Sequence, residues 1–311
     1  MRLKSKEPHR KRNWKALLKR NFFAWAILLP PLLLFCFFVW VPMARNILLS
    51  FQKDYSDPSF VGFSNYASVF QDESFLMALG NTFKYIAWSL VIGYLVPVLL
   101  GFLLSEIVHA KGFFRVVLYL PCMISGIATV FLFKNMFGDE STSLFNVITL
   151  AFGGEAHSWR SDTNLIIPLI VLAMTWRGAG STSLIYLSAF QSIDNSMYEA
   201  ARMDGANSIQ RFCHVTIPAL KGTLLTLFVL QIISVFQVFY EPMIIGPDGG
   251  PLNASMSLML QSYLYAFRST SLGFQYGKSA ATAMILSLII MAFTALYSLL
   301  KNLLRQAEGG K

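Results

Sequence analysis

The segment SAFQSIDNSMYEAARMDGANSIQRFCHVTIPAL (188–220) lies between two long apolar stretches of the chain. Its residue pattern predicts two short helices separated by Gly205, because glycine readily adopts the left-handed conformation that ends a helix. Ser196 and Glu199 have the spacing of a capping box and would begin the first helix. Ser208 would cap the second helix. An ordered polar loop between two apolar stretches indicates a membrane protein with structure at one membrane surface.

The composition around this loop is that of a membrane protein. Hydrophobic residues make up 55% of the 311 residues and charged residues only 13%, about half of the roughly 25% found in soluble domains. So few charges could not cover the surface of a soluble enzyme of this size, which excludes that class. A membrane-spanning helix needs about 20 apolar residues. Six stretches of suitable length cover residues 21–44, 85–105, 114–135, 164–187, 221–243 and 279–300.

Two further uncharged stretches are interpreted differently. Ser141–Gly154 is too short to span a bilayer and predicts a helix at the membrane interface. Gly249–Phe267 is long enough, but it contains glycine, proline and several polar residues. A seventh span there would also place the two chain ends on opposite sides of the membrane. The predicted fold class is therefore an all-α polytopic membrane protein with six transmembrane helices.

The distribution of basic residues predicts the orientation in the membrane. The net charge is +9, and nine of the 25 Lys and Arg residues lie in a basic arm, residues 1–20. Such an arm directly before an apolar span lies against anionic headgroups, which explains the charge better than nucleic-acid binding does. With the span-end residues Arg115, Lys134 and Lys221 counted in the adjacent loops, 17 basic residues fall on the side of the N-terminus, seven on the other side and Arg177 within a span. The positive-inside rule therefore predicts that both termini and the loop 188–220 are cytoplasmic.

No residue pattern indicates catalysis, metal binding or a bound cofactor. Gly277-Lys278-Ser279 ends like a nucleotide-binding loop, but Leu272 occupies the position at which that loop needs glycine. The spans contain no paired carboxylates for acid–base chemistry. Three cysteines are too far apart to predict a disulfide framework or a zinc site: Cys36, Cys122 and Cys213.

The loop 188–220 resembles the EAA loop of binding-protein-dependent ABC permeases, whose pattern is EAA-x3-G-x9-I-x-L-P. Here Glu199-Ala200-Ala201 is followed after three residues by Gly205 and after nine more by Val215-Thr216-Ile217-Pro218, so the spacing agrees at every step. Val and Ile are conservative replacements, while Asp194 stands where sugar permeases commonly have proline. Further stretches resemble sugar permeases of the maltose and glycerol-3-phosphate type: residues 28–51, 60–85, 113–137, 249–267 and 272–283.

This resemblance implies a type I ABC importer permease fold, with residues 21–311 as the transmembrane domain and 188–220 as a cytoplasmic coupling loop. The loop would dock on a cytoplasmic ATPase dimer that binds ATP and Mg²⁺, so this chain itself binds no cofactor. Closure of the ATPase would switch this chain and a second homologous permease, its heterodimer partner, between inward-facing and outward-facing states. An extracytoplasmic binding protein would deliver the sugar. The implied coupling residues are Glu199, Ala200, Ala201, Asp204, Gly205, Ala206 and Pro218.

Two of the coupling residues also have a simpler interpretation. Glu199 fits a capping-box acid, which stabilises a helix by about 1 kcal/mol, and this role is compatible with coupling. Gly205 fits an ordinary helix stop. For Gly205 the two interpretations agree, because the sharp turn would define the end of the coupling helix.

Arg177 is the most unusual residue of the predicted spans, because a charge within the bilayer is costly and indicates function. It is interpreted either as a structural arginine beside Gly178 and Gly180 or as a residue that lines a cavity. Glu241 lies at a different depth along the fifth span, so a direct ion pair is not expected. The resemblance implies solute contacts after the tryptophan of the fourth span and before the GGP sequence. Carried over to this chain, these are Arg177, Gly178, Ser181, Ser234, Phe236, Gln237, Phe239 and Tyr240.

The predicted function is therefore that of the permease subunit of an ABC importer for a sugar or oligosaccharide, in a bacterial inner membrane. Another solute such as glycerol 3-phosphate stays open, because Arg177 would suit an anion. A channel fits less well, since it would not need a coupling loop. A membrane-embedded enzyme would need polar catalytic pairs within the spans, and the sequence has none.

Overall fold

The computed structural model describes residues 22–107, 109–268 and 273–309. Within these ranges the chain forms helices, turns and one isolated antiparallel bridge between Gln52 and Phe60. The predicted all-α class is confirmed. The predicted basic arm, residues 1–20, lies outside the described residues.

The helices are numbered here in chain order. They are α1 (Phe22–Phe35, continuing through a π-helical Cys36–Trp40 into Val41–Ser50), α2 (Ser64–Phe70), α3 (Glu73–Glu106), α4 (Lys111–Met123), α5 (Gly126–Met136), α6 (Leu144–Ala151), α7 (Ile166–Phe190), α8 (Asn195–Met203), α9 (Ser208–Phe236), α10 (Tyr240–Ile245), α11 (Leu258–Phe267) and α12 (Tyr276–Gly309).

Four described helices have the length and apolar composition needed to cross a membrane, namely α1, α3, α9 and α12, and the bent pair α4–α5 would be a fifth. Helix α7 has 25 residues, about 37 Å, but Arg177 and several small polar residues make it less apolar. This helix is surrounded by other helices of the bundle, and its buried residues extend from Ile166 to Phe190. The predicted number of six apolar spans is therefore not reproduced by helix composition.

Helix α7 is the centre of the bundle and packs against α3, α4, α5, α9 and α10. One apolar core lies around its first half, where Ile170 packs with Tyr85 and Phe133. A second core lies around its last turns, at Tyr186 and Phe190. Because most of its surface contacts protein, α7 can contain polar side chains that lipid would not accept.

Helix α3 begins twelve residues before the predicted span 85–105. The Asp72 carboxylate caps it by accepting a hydrogen bond from the Ser74 amide at 2.9 Å. The segment Glu73–Lys84 contains charged residues, so an apolar-stretch criterion leaves it out although it is helical. The prediction therefore identified the apolar part of α3 and missed the part that extends beyond it.

The predicted third span, 114–135, is wrong as a single helix. It consists of α4 and α5, which are bent by 92°. Pro121 removes a backbone donor near the end of α4, and Ile124 and Ser125 have extended backbones. The Ser125 hydroxyl then accepts a hydrogen bond from the Ala128 amide at 3.2 Å and starts α5.

The predicted fifth span, 221–243, is wrong at both ends. Helix α9 starts at Ser208 and ends at Phe236, and α10 begins after a break. Pro242 explains the break, because it cannot donate to the Val238 carbonyl four residues earlier. That carbonyl instead accepts a hydrogen bond from the Ser257 hydroxyl at 2.6 Å. At the other end, α9 contains a π-helical turn at Phe212–Thr216. This turn lies directly before Pro218, and the helix continues through the proline.

The remaining predicted segments differ less from the structure. The predicted spans 21–44, 164–187 and 279–300 correspond to α1, α7 and α12, whose ends lie a few residues away, and α12 extends to Gly309. The stretch Gly249–Phe267 forms 3-10 turns followed by α11 and is not one helix. The stretch Ser141–Gly154 contains α6. Asn146 on this helix donates a hydrogen bond to the His157 carbonyl of the following loop at 3.0 Å.

Candidate functional site: a polar cavity and an exposed two-helix segment

A cavity of about 350 Å³ lies between α3, α7, α9 and α10. It is unusual for the interior of an apolar bundle because much of its lining is polar. A polar cavity enclosed by apolar helices provides hydrogen bonds to a hydrophilic solute that lipid could not provide. The polar lining residues are Ser89, Thr175, Arg177, Thr182, Gln231, Ser234, Gln237, Tyr240 and Glu241.

The charged part of the lining is organised around Tyr240. The Arg177 guanidinium donates a hydrogen bond from Nη2 to the Tyr240 hydroxyl at 2.9 Å. Glu241, only 5% exposed, lines the same cavity. The hydrogen bond of Arg177 goes to Tyr240 and not to Glu241, in keeping with the different depths inferred from the sequence. Of the two interpretations of Arg177, the structure favours a cavity-lining residue.

A second feature of the cavity is a bridge between α3 and α9. Gln231 on α9 donates a hydrogen bond to the Ser89 hydroxyl at 2.7 Å. Ser89 begins a π-helical segment of α3, Ser89–Tyr94, and such bulges occur frequently at functional sites. Gly93 in this segment leaves room for the amide, since a Cβ there would lie 2.8 Å from the Gln231 side-chain nitrogen. The bridge places an amide and a hydroxyl on the cavity wall.

The structure places the predicted solute-path residues in two groups. Five of them line the cavity: Arg177, Gly178, Ser234, Gln237 and Tyr240.

The other three do not line this cavity. Phe236 is 2% exposed and packs in the core against Phe83 and Phe293. Phe239 packs against Tyr263. The Ser181 hydroxyl donates to the Gly178 carbonyl of its own helix at 2.9 Å. The break at Gln237 rotates the chain, so the two phenylalanines point away from the cavity while Gln237 faces it.

The sequence reasoning missed several lining residues. Gln231 is an amide in an otherwise apolar stretch, a signal that the sequence contains. The sequence argument treats Glu241 only as a partner for Arg177 and does not predict it as a lining residue. No sequence pattern marks Ser89 and Thr175 as lining residues, because hydroxyl residues are common in membrane helices and often bond to their own backbone. Thr175, for example, donates a hydrogen bond to the Val171 carbonyl at 2.8 Å.

The predicted coupling loop is two helices around a glycine. Gly205 has a φ of +79° and ends α8, as predicted. The caps differ from the prediction, because Asp194 and not Ser196 caps α8, and Asn207 and not Ser208 caps the start of α9 in a capping box with Gln210. Residue 207 has the extended backbone that capping requires.

The predicted coupling residues form an accessible surface. Glu199, Ala200, Asp204, Gly205 and Pro218 are exposed, and Ala201 and Ala206 are partly exposed. Next to them, Met203 is 89% exposed and Ile209 is 71% exposed. A short amphipathic helix that presents alanines and apolar side chains outwards has the surface of a docking element.

The coupling segment is fixed to the transmembrane bundle by charged and polar contacts. Arg211, which is 8% exposed, donates to Glu106 at 3.0 Å and to the Ser208 hydroxyl at 2.8 Å. Tyr198 and Thr216 share a hydrogen bond of 2.8 Å between α8 and the π-helical turn of α9. Helix α3 therefore contacts the coupling segment directly, through Glu106. No group of metal-ligand residues occurs in the described part of the chain.

Comparison with known proteins identifies the class. Residues 89–306 match the family described as binding-protein-dependent transport system inner membrane component. The chain is 31% identical to the arabinooligosaccharides transport system permease protein AraP of Bacillus subtilis (strain 168), over 86% of this chain and 85% of that protein. It is 30% identical to the lactose transport system permease protein LacF of Rhizobium radiobacter, over 88% and 93% of the two chains.

The fold has a counterpart among solved structures. A chain of a bacterial ABC transporter involved in the import of the acidic polysaccharide alginate superposes with a TM-score of 0.83 at 23% identity, over 94% of this chain and 99% of that chain. The crossing helices, the polar cavity and the segment around Gly205 thus define a membrane-spanning permease. The chain belongs to the family of binding-protein-dependent transport inner-membrane components. It is accordingly a multi-pass inner-membrane permease subunit rather than an enzyme, and the resemblance seen in the sequence is confirmed.

Proposed function

We propose that this chain is the permease subunit of an ATP-driven importer of a neutral sugar or oligosaccharide. The observation that carries this proposal is the polar cavity, which contains one basic and one acidic side chain, Arg177 and Glu241. Hydroxyl and amide groups make up the rest of its polar lining, and they suit the hydroxyls of a sugar. AraP and LacF, named for arabino-oligosaccharide and lactose transport, support the substrate class.

A buried acid in the cavity argues against glycerol 3-phosphate, which the sequence alone leaves open. An anion would require a net positive cavity, since a buried charge needs a partner of opposite sign. Glu241, which is 5% exposed, lines the same cavity as Arg177. A phosphate would have to displace that carboxylate or lie close to it.

The partners of this permease are part of the same proposal. A cytoplasmic ATPase dimer, which binds ATP and Mg²⁺, docks on α8, where Glu199, Met203 and Gly205 are exposed. An extracytoplasmic binding protein delivers the sugar, and a second homologous permease completes a heterodimer. The family description, and the crystal structure of the alginate transporter with its periplasmic protein at 25% identity, support this arrangement. Both termini lie in the cytoplasm.

The first experiment tests coupling. Glu199→Lys in the complete transporter should insert normally but abolish uptake of labelled lactose and arabinotriose, because it reverses a charge on the docking surface. Glu199→Ala should reduce uptake less. The matched control is Glu155→Lys, an exposed residue in the loop between α6 and α7, which should leave uptake unchanged.

The readouts are sugar uptake by cells and recovery of the ATPase and second permease with a tagged chain. Normal uptake by Glu199→Lys with the ATPase bound would refute the coupling role. Uptake of glycerol 3-phosphate and of neither sugar by the unaltered transporter would refute the substrate class.

A further inference from the structure

The bent third span touches the charged part of the cavity at a glycine. Gly126 is the first residue of α5, directly after the 92° bend. A Cβ built on it would lie 2.6 Å from the Tyr240 hydroxyl oxygen, 3.0 Å from Cζ and 3.2 Å from Cε2. All three nearest atoms belong to one side chain. Gly126 therefore forms the surface on which the end of the Tyr240 ring rests.

The position of that ring determines the position of Arg177. The Tyr240 hydroxyl accepts the Arg177 hydrogen bond at 2.9 Å. An ordinary contact with a Cβ at residue 126 would need at least 3.4 Å, so the hydroxyl would have to move by roughly 0.8 Å. Hydrogen bonds weaken steeply when length and angle depart from their optimum, so the bond to Arg177 would be lost or distorted.

A second contact connects α5 to the same region. Phe133 lies seven residues after Gly126, two turns along and on the same helix face. Its ring packs edge-to-face on Trp176, the neighbour of Arg177, with centroids 5.4 Å apart. Helix α5 thus supports Arg177 from two sides, through Tyr240 and through Trp176.

We propose that Gly126 is a positioning residue for the transport cavity, which acts by placing the Tyr240 hydroxyl on the Arg177 guanidinium. Arginine has five N–H donors. With one of them bonded to Tyr240, the guanidinium is held in a fixed orientation and presents its remaining donors to the solute. The proposal rests on the proposed function, because it assumes that a solute binds in this cavity.

The first test examines the geometry without any solute. 3-Fluorotyrosine is placed at position 240 of the complete transporter in lipid nanodiscs, and its fluorine resonance is recorded. Arg177→Leu defines the resonance of a Tyr240 that has lost its donor, because leucine has no N–H group. Gly126→Ala should move the resonance towards that reference. Gly112→Ala is the matched control, since Gly112 lies on α4 with no atom within 4 Å of a built Cβ, and it should have no effect.

The proposal is overturned if Gly126→Ala leaves the fluorine resonance at its original position, or if Gly112→Ala shifts it equally. If the Gly126→Ala chain does not assemble into the transporter, the double variant Gly126→Ala/Tyr240→Leu tests the proposal. Leucine lacks the three atoms that would clash with the new Cβ. Recovery of assembly in the double variant supports the proposal. Failure of both variants overturns it, since Gly126 would then pack against something other than Tyr240.

The second test measures uptake of tritiated lactose and arabinotriose. Gly126→Ala should raise the half-saturating concentration about tenfold and change the maximal rate less than twofold. Combined with Arg177→Leu, which removes the donor entirely, it should add nothing to the loss caused by Arg177→Leu alone, whereas additive losses would contradict the shared mechanism. If the unaltered transporter imports glycerol 3-phosphate and neither sugar, the substrate class fails, and the fluorine measurement still decides the role of Gly126.

Discussion

Gly178 and Gly180 lie two residues apart on α7 and have opposite surroundings. A Cβ on Gly180 would lie 1.7 Å from the Leu118 carbonyl oxygen of α4, whereas one on Gly178 would meet no atom within 4 Å. Gly180 is therefore the point at which α4 and α7 cross with their backbones in contact, as small residues allow in membrane helices. Gly178 keeps the cavity wall open.

Alanine at these positions should have opposite effects on stability. Gly180→Ala should reduce the free energy of unfolding by on the order of 3 kcal/mol, because a backbone carbonyl cannot move aside as a side chain can. Gly178→Ala should leave stability unchanged or raise it by up to about 1 kcal/mol, since alanine is the better helix former. Thermal unfolding of the two purified variants in detergent checks this, and equal melting temperatures would contradict the crossing geometry.

At the scale of elements, Asp72 joins the start of α3 to α11 and α12. Its carboxylate accepts hydrogen bonds from Lys278 and from the Tyr265 hydroxyl, the latter at 2.7 Å. Burial acts to raise the pKa of Asp72, but the hydrogen bonds from Lys278, Tyr265 and the Ser74 amide outweigh it and lower the pKa below 3.8. A carboxyl whose pKa is lowered by folding stabilises the folded state in its ionised form.

This linkage predicts a pH-dependent loss of stability. The contribution of Asp72 should be complete above its ordinary pKa of 3.8 and should disappear as the pH falls through the lower folded-state value. Asp72→Asn should therefore cost about 2 kcal/mol at neutral pH and progressively less below pH 4. Asp57→Asn is the control, because its ion pair with Lys53 is 49% and 65% exposed and contributes little. A constant difference between the original chain and Asp72→Asn at all pH values would contradict the linkage.

At the scale of the whole molecule, α3 separates two groups of charges. It runs for 34 residues from Glu73 to Glu106, about 50 Å, which exceeds the thickness of a bilayer core. Asp72 and its partner Lys278 lie at its start, while Glu106 and Arg211 of the coupling segment lie at its end. The two groups are therefore at opposite ends of the bundle, as a membrane-spanning orientation requires.

The orientation is tested by labelling single cysteines in a chain whose three cysteines are replaced by serine. Asp248→Cys should react with a membrane-impermeant maleimide on intact cells, because Asp248 lies in the exposed turn after α10, which the proposed orientation places outside the cell. Met203→Cys, at an 89% exposed position of the coupling segment, should react only after the cells are opened. The opposite labelling would place the coupling segment outside the cell and exclude ATP-driven coupling.

Features that depend on neighbouring residues were predictable from the amino-acid sequence. Gly205 ends a helix because only a few side chains tolerate its φ of +79°. The apolar stretches became helices because the backbone must satisfy its own hydrogen bonds in lipid. Asn207 and Gln210 form a capping box. Their three-residue spacing is visible in the sequence, but the prediction named Ser208 as the cap.

The set of side chains that meet in the cavity depends on contacts between distant parts of the chain, which the sequence did not reveal. Phe236 and Gln237 are adjacent, yet one is in the core and the other lines the cavity, because the helix ends between them. That end depends on Pro242 and on Ser257, which satisfies the released carbonyl from another segment. The contact of Gly126 with Tyr240 joins residues more than a hundred positions apart. Such contacts follow from how helices pack and where they bend, which no local pattern of residues specifies.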